Sequence, residues 1–415
     1  MSTRNRVVIT GLGIVAPNGI GKADFWNSLL AGKSAIDHIT LFDASQHSSR
    51  IAGEVKNFNP KVHLGGTEVN SRRLARHTQF ALAATLMALE DAALTEQDVR
   101  PNAPLPLVLG VSTSAFDVIE DAMERMIERG PDRVPTHTVH ASNPHQAATL
   151  VSQYVPLVTR ALTISSACAA GVDAVTVAAD MIRAGKVDVA VCGGTDACVT
   201  PLAFAVLAKA GLLSMRNADP EKASRPFDVD RDSGVISEGA GLVILENLDH
   251  ARGRGAEPYL EITGHSTRLD TDLTVPGSGF FDTMTEAMAN AGKRASDVDY
   301  ISAHGPGHPV LDRVETAMIK KVFGKRAYAV PVSSIKGVIG NPLSAAGALQ
   351  VIACCLAIRY GMIPPTANLD VPDPECDLDY VPRVARRVRI SCALVNSHGV
   401  GGGNTTLILE TVKPS

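Results

Sequence analysis

At 415 residues, with 45% hydrophobic and 20% charged side chains, the chain is long enough for two domains or two fused halves around substantial cores. A net charge of −4 leaves no basic footprint, which argues against a nucleic-acid binder that works by phosphate neutralisation. Seven cysteines without a Cys-x-x-Cys pair suit neither a disulfide framework nor a zinc site, and a reducing, cytoplasmic setting is expected.

Arg4 and Arg6 before Val7-Val8-Ile9 imitate the start of a signal peptide, but Gly11, Gly13, Pro17 and Asn18 interrupt any apolar core of one. Val7 to Thr10 reads as a buried strand. Gly11-Leu-Gly13-Ile-Val-Ala16 follows it with the spacing of a dinucleotide loop. Such a loop must open a helix, whereas Pro17-Asn18-Gly19 is a turn and helical periodicity waits until Asp24 to Leu30, so no dinucleotide is expected. Helices are predicted over 71–93 and 116–129, with a buried strand over 105–111 between them. A Pro- and His-rich connection over 130–145 carries His137, His140 and His145; no cysteine or carboxylate is interleaved with them, which favours a lining loop over a metal site.

At Leu162-Thr-Ile-Ser-Ser-Ala-Cys-Ala-Ala-Gly171 a short apolar run stops at small residues and a long apolar helix begins, with Cys168 at the junction. A cysteine in the first helical turn meets unpaired N–H groups and the positive end of the macrodipole, both of which favour thiolate. Its small neighbours would admit a substrate carbonyl and leave amides free for an oxyanion. A small buried hydrophobe is the alternative at this point. Strands predicted over 187–192, ended by Gly193-Gly194, and over 241–246 alternate with this helix and suggest a parallel sheet.

The second half repeats the theme, with a strand over 300–303 and a buried helix over 344–361. Ala-Ala-Gly and Ile-Arg-x-Gly recur in the helices after Cys168 and Ser344 at one common offset, as a duplicated unit would give. The join is expected near Arg252 to Pro258, giving halves 1–257 and 258–412. The apolar run from Leu343 to Ile358 is too short to span a bilayer and carries Gln350, so no membrane partner is expected. Three more small-residue turns follow apolar strands: Ser302-Ala-His304-Gly-Pro-Gly-His308, Ser333-Ser-Ile-Lys336-Gly-Val-Ile-Gly340-Asn341, and Asn396-Ser-His398-Gly-Val400-Gly-Gly-Gly-Asn404. Cysteine, histidine and a hydrogen-bond donor on separate loops suit covalent acyl transfer.

With these loops, and with Arg6-Val-Val-Ile-Thr-Gly-Leu-Gly, Ser224-Arg-Pro-Phe-Asp228, Glu238-Gly-Ala-Gly241 and Ala303-His-Gly305 before Asp312 and Glu315, the chain resembles the elongating β-ketoacyl-acyl-carrier-protein synthases. The resemblance covers nearly the whole chain. It implies an α/β, thiolase-like fold in which two duplicated βαβ halves form a five-layered αβαβα sandwich. It further implies decarboxylative condensation of a Cys168-bound acyl group with malonyl-acyl carrier protein, substrates on phosphopantetheine, no bound cofactor, no metal, and a homodimer, with a heterodimer as the alternative. By the same resemblance His304 is an enolate donor, Lys336 and Glu315 form a buried pair beside it, and the Cys168 and Val400 amides hold the oxyanion. Thr274, Pro306, His308, Val400 and Gly401 stand at substrate-binding positions. The family's second catalytic histidine is Asn341 here, two pantetheine-binding threonines are replaced by Pro306 and His308, and two loop phenylalanines by His398 and Val400. An asparagine donates N–H groups without a titratable charge, which permits condensation. A Cys168 transacylase or non-elongating ketosynthase, and a partner subunit of a ketosynthase heterodimer, are the alternatives. His398 is expected to supply part of the missing donor or base function, or to meet a polar substrate group.

Overall fold

The computed structural model describes residues 5–99 and 104–413, so Arg4 lies outside it. Ten principal strands carry the architecture: β1 (Val7–Ala16), β2 (Pro106–Gly110), β3 (Arg160–Ile164), β4 (Val189–Asp196), β5 (Gly239–Asn247), β6 (Leu260–Leu269), β7 (Tyr300–Ser302), β8 (Val332–Ser333), β9 (Cys392–Gly399) and β10 (Gly403–Glu410). They run in the order β8-β7-β9-β10-β6-β1-β5-β4-β2-β3. Each half therefore repeats one order, third-second-fourth-fifth-first, and the two first strands, β1 and β6, meet antiparallel at the centre. The predicted parallel sheet is only part of the answer. β2, β3 and β4 are parallel, as are β7, β8 and β9, but every other principal pair is antiparallel.

Six helices complete the layers: α1 (Arg76–Asp91), α2 (Phe116–Arg129), α3 (Ala170–Arg183), α4 (Phe280–Asn290), α5 (Pro309–Phe323) and α6 (Ser344–Tyr360). α1 covers the outer face of the first sheet half and α4 that of the second, while α3 and α6 pack together between them, which makes five layers. α6 is buried without a break from Ser344 to Ala357, the placement expected of a helix apolar on every side. The central helices approach closely because small residues line their crossing. A Cβ on Gly171 would lie 2.1 Å from the Ser344 carbonyl oxygen, and one on Gly347 2.9 Å from Val172 Cβ.

Several glycines read as loop signals belong to strands. Gly11 and Gly13 lie inside β1, where a Cβ would come within 2.2 Å of the Ala88 carbonyl oxygen and 1.8 Å of that of Ala84; their missing side chains let the alanine-rich α1 press on the sheet. Gly193 and Gly194 likewise continue β4 to Asp196. The helix predicted over 71–93 is broken, with a 3₁₀ turn at Ser71–Arg73 before α1, and the 130–145 connection contains a short helix at Thr138–Ala141. Among the described residues, no helix is long and apolar enough to cross a membrane.

Candidate active site

Cys168 stands where β3 turns into α3, in a 3₁₀ turn formed by Ala167–Ala169. Ala167 has φ +53°, a left-handed conformation unusual for a residue with a Cβ, and this tight elbow sets the cysteine at the head of the helix. Only 6% of Cys168 is exposed. Burial, followed by the nearby Asp196, pushes the thiol up to about 11, outweighing the Val400 amide, Lys336 and the residue's own amide, all of which favour thiolate. The resting nucleophile is a thiol. This corrects the thiolate expected from the helix terminus, because desolvation in a packed layer exceeds what the terminus contributes. The Val400 amide and the residue's own amide both lie near enough to the sulfur to favour its thiolate.

His304 follows β7. Its Nδ1 accepts a 3.1 Å hydrogen bond from the His398 amide, so the neutral ring carries its proton on Nε2. Burial first, then Lys336 and His398, hold its pKa well below the ordinary histidine value. His304 is thus a neutral N–H donor. The loop is locked from both sides. Glu315 on α5 accepts the His304 amide at 2.9 Å, the Gly305 amide at 2.9 Å and Asn396 Nδ2 at 3.1 Å, while Lys336 Nζ donates to the His304 carbonyl at 2.5 Å. Burial moves Lys336 down to about 8 and Glu315 upward, both toward neutrality. The expected Lys336–Glu315 pair is buried as foreseen, yet its members make no direct ion pair and act on opposite ends of the His304 peptide.

Gln350, met in the sequence only as an interruption of an apolar run, proves to be a hub. Its Nε2 donates to the carbonyls of Ala303 at 2.8 Å, Asn396 at 3.2 Å and Ser302 at 3.3 Å, and its Oε1 accepts from Lys336 at 3.5 Å. A lone amide inside a buried helix was the available signal. Asn341 is fixed through its backbone, its amide donating to the Val235 carbonyl at 2.7 Å and its carbonyl accepting from Ser237 at 3.1 Å. Its Oδ1 is sealed from solvent without a partner. The half-buried side chain makes no hydrogen bond to His304, and its Nδ2 is left open.

His398 closes β9 and pairs across the ladder with Asn404 of β10. Val400 is 62% exposed and lines, with Gly401, His308 and His398, an apolar cavity of about 420 Å³ whose walls include Leu212, Leu273 and Leu311. His308 caps α5, its Nδ1 accepting from the Val310 and Leu311 amides at 3.2 and 3.3 Å. Pro306 is buried with its carbonyl against Gly234 and does not line this cavity; Thr274 is exposed, its hydroxyl turned onto Asp272 at 2.6 Å. Asp270, which also lines the cavity, escaped the sequence reading, since only the meeting of β6 and β10 brings it to Asn404. His137 and His140 line a separate pocket beside His77, and His145 is hydrogen-bonded to Thr163 at 2.9 Å.

A family model described as Beta-ketoacyl synthase, N-terminal domain, matches residues 4–251, and one for the C-terminal domain matches residues 259–370. The chain is 40% identical to the tetracenomycin polyketide synthase ketoacyl synthase alpha subunit of Streptomyces glaucescens, over 98% of this chain and 97% of that one. It is 38% identical to 3-oxoacyl-[acyl-carrier-protein] synthase 2 of Synechocystis sp., over 98% of each. Among solved structures it is similar to the ishigamide ketosynthase/chain length factor, with TM-score 0.92, 34% identity and coverage of 99% of this chain and 100% of the other. It is also similar to a chain from a type II polyketide acyl-carrier protein in complex with its ketosynthase bound to the hexaketide, with TM-score 0.90, 32% identity and the same coverage.

Proposed function

The chain belongs to the beta-ketoacyl synthase family, condensing acyltransferases of fatty acid and polyketide synthesis, and we propose that Cys168, His304 and Asn341 carry its reaction. The observation that carries this reading is that one segment serves both groups: the Val400 amide acts on the Cys168 sulfur, and the His398 amide donates to Nδ1 of His304, which leaves that ring a neutral Nε2–H donor. An acyl group arrives on the phosphopantetheine of an acyl carrier protein, and the Cys168 sulfur attacks its thioester carbonyl. The oxyanion is held by the two amides until the carrier thiol leaves. Malonyl-carrier protein then loses CO₂, its electron pair passing into an enolate whose oxygen takes hydrogen bonds from His304 Nε2–H and Asn341 Nδ2. Both donors are neutral. They stabilise developing charge through orientation, and the enolate carbon attacks the Cys168 thioester to release the β-ketoacyl product.

A dimer formed along β3 fits this reading, since among the described residues β3 is an edge strand paired only with β2. Cys168 and His304 set the chain apart from a non-catalytic partner of a heterodimer, because a silent subunit needs neither. The division into halves 1–257 and 258–412 is supported by the repeated strand order, and a cytoplasmic setting by seven free cysteines. Intact mass after incubation with acyl-loaded and then malonyl-loaded carrier protein tests the reaction. The expected course is an acyl adduct that maps to Cys168, then its loss with release of a product two carbons longer. A Cys168→Ala protein that still accepts an acyl group contradicts the assignment, and an adduct that only passes unchanged to another carrier makes the protein a transacylase.

A further inference from the structure

Asp173 stands in the first turn of α3, just beyond the nucleophile along the chain, and is 8% exposed. Its carboxylate gathers hydroxyl groups from the elbow and from two strands. Oδ2 accepts from the Ser166 hydroxyl, while Oδ1 accepts from the Thr405 hydroxyl of β10 at 2.5 Å and, farther off at 3.5 Å, from that of Thr267 of β6. The two threonine hydroxyls are themselves 3.1 Å apart. Burial raises the Asp173 pKa against the pull of these hydroxyls. A carboxylate so shielded from water depends on each of its donors.

Both ends of this bridge touch the nucleophile's surroundings. Ser166 opens the elbow: it precedes Ala167 at φ +53°, and its carbonyl oxygen would lie 2.6 Å from a Cβ on Gly399. The same Cβ would come within 3.3 Å of the Ala169 nitrogen, so Gly399 rests bare backbone on the elbow. Thr405 lies where β10 carries the chain back from that loop, directly across the ladder from Ser397. Strand alternation puts Ser397, Gly399 and Thr405 on the face toward the elbow and sends the His398 ring the other way, to Asn404. Between Gly399 and Thr405 comes the Val400 amide, which acts on the Cys168 sulfur. The loop is thus seated on the elbow at Gly399 and tied to it through Asp173.

We propose that Asp173 is a positioning residue for the loading step, tying Ser166 of the elbow to Thr405 and so holding the Val400 amide at the Cys168 sulfur. The inference rests on the reading of Cys168 as the acylated nucleophile. A carboxylate suits the task because it accepts from several hydroxyls at once and has no proton to place. With the tie intact, the amide is in position before the sulfur develops charge, and no reorganisation is needed during the step.

Two measurements on protein shown to be folded test the proposal: single-turnover acylation by acyl-loaded carrier protein, read by intact mass, and alkylation of Cys168 by iodoacetamide between pH 7 and 10. Ser166→Ala and Thr405→Val cut the two ends of the tie. Each should slow acylation on the order of tenfold with the half-saturating carrier concentration unchanged, and the double variant should be no slower than the slower single one, since one bridge is broken either way. Cys168 alkylation should also slow in these variants throughout that pH range, because the sulfur loses part of the amide that favours thiolate. Asp173→Asn keeps one accepting oxygen and can donate to the other hydroxyl, so it should retain most of the rate that Asp173→Ala loses. Losses that multiply in the double variant, faster alkylation from a merely loosened site, or wild-type rates in both Ser166→Ala and Thr405→Val would overturn the proposal. No acylation of Cys168 in the wild-type protein would overturn the nucleophile, and with it any role in loading, whereas the alkylation rates report the tie separately.

Discussion

Two helices of this protein begin with the same elbow and use it differently. The 3₁₀ turn that leads into α3 brings Cys168-Ala-Ala-Gly after Ala167 at φ +53°, and α6 opens on Ser344-Ala-Ala-Gly after Leu343 at φ +47°. In the first, the head residue keeps 6% exposure, with the Val400 amide directed at its sulfur. In the second, Ser344 is fully buried, its amide donating to Asp196 at 2.9 Å and its hydroxyl to the Thr195 carbonyl at 2.8 Å. A duplicated backbone thus supplies one nucleophile and one strut. The chemistry depends on what faces the elbow, and at the first of them the loop 396–404 from the other half brings the Val400 amide to the head residue.

The sharpest way to break this comparison is to remove each head residue. Cys168→Ala should abolish acyl loading altogether, whereas Ser344→Ala should load normally and lose about 1 kcal/mol of stability through its missing hydroxyl bond, measured by denaturant unfolding. Loading lost equally in both would deny the division of roles. The next effect concerns the turn that carries Asn341. Asn341→Ala should slow condensation on the order of a hundredfold, since one lost oxyanion-type donor costs about 3 kcal/mol, with acylation nearly intact. A parallel fall in acylation would show that Asn341 acts on the elbow and not on the enolate.

Iodoacetamide sharpens the comparison through pH. With its thiol pushed up to about 11, Cys168 should be alkylated about tenfold faster for each pH unit between 7 and 10, as its thiolate fraction grows. The wholly buried Cys192, Cys198, Cys354 and Cys355 should stay unlabelled while the protein is folded. A rate already level at pH 7 would mean a resting thiolate. The last comparison lies in the elbows' backbone and is read on stability alone. Ala167→Gly relieves a left-handed residue and should stabilise by at most about 1 kcal/mol, while Leu343→Gly relieves the same strain but empties a buried site and should cost about 2–5 kcal/mol in thermal or denaturant unfolding.

Much of this was legible in the sequence because it is local. The strand-to-helix junction at Cys168, the repeated Ala-Ala-Gly and Ile-Arg-x-Gly, and the small-residue turns around His304, Lys336 and His398 are each contained in a few consecutive residues. What escaped depends on distant neighbours. Asp270 reaches Asn404 across 134 positions of sequence, through the pairing of β6 with β10, and no pattern within either segment announces it. The charge state of Cys168 is set by how deeply its turn is packed, which a helix-terminus argument does not contain. Gly11, Gly13, Gly193 and Gly194 read as turns since glycine marks both a bend and a strand pressed by a neighbour, and only α1, β5 and the heads of α3 and α6 decide between the two.

The account's central claim is that the elbow at Cys168, with neutral donors from His304 and Asn341, performs condensation. The stoichiometry of CO₂ release tests it most directly: protein acylated at Cys168 is mixed with malonyl-loaded carrier protein, and released CO₂ is counted against acyl adduct lost. The prediction is one CO₂ for each adduct consumed, matched by one β-ketoacyl product. Adduct lost with no CO₂ released would contradict it.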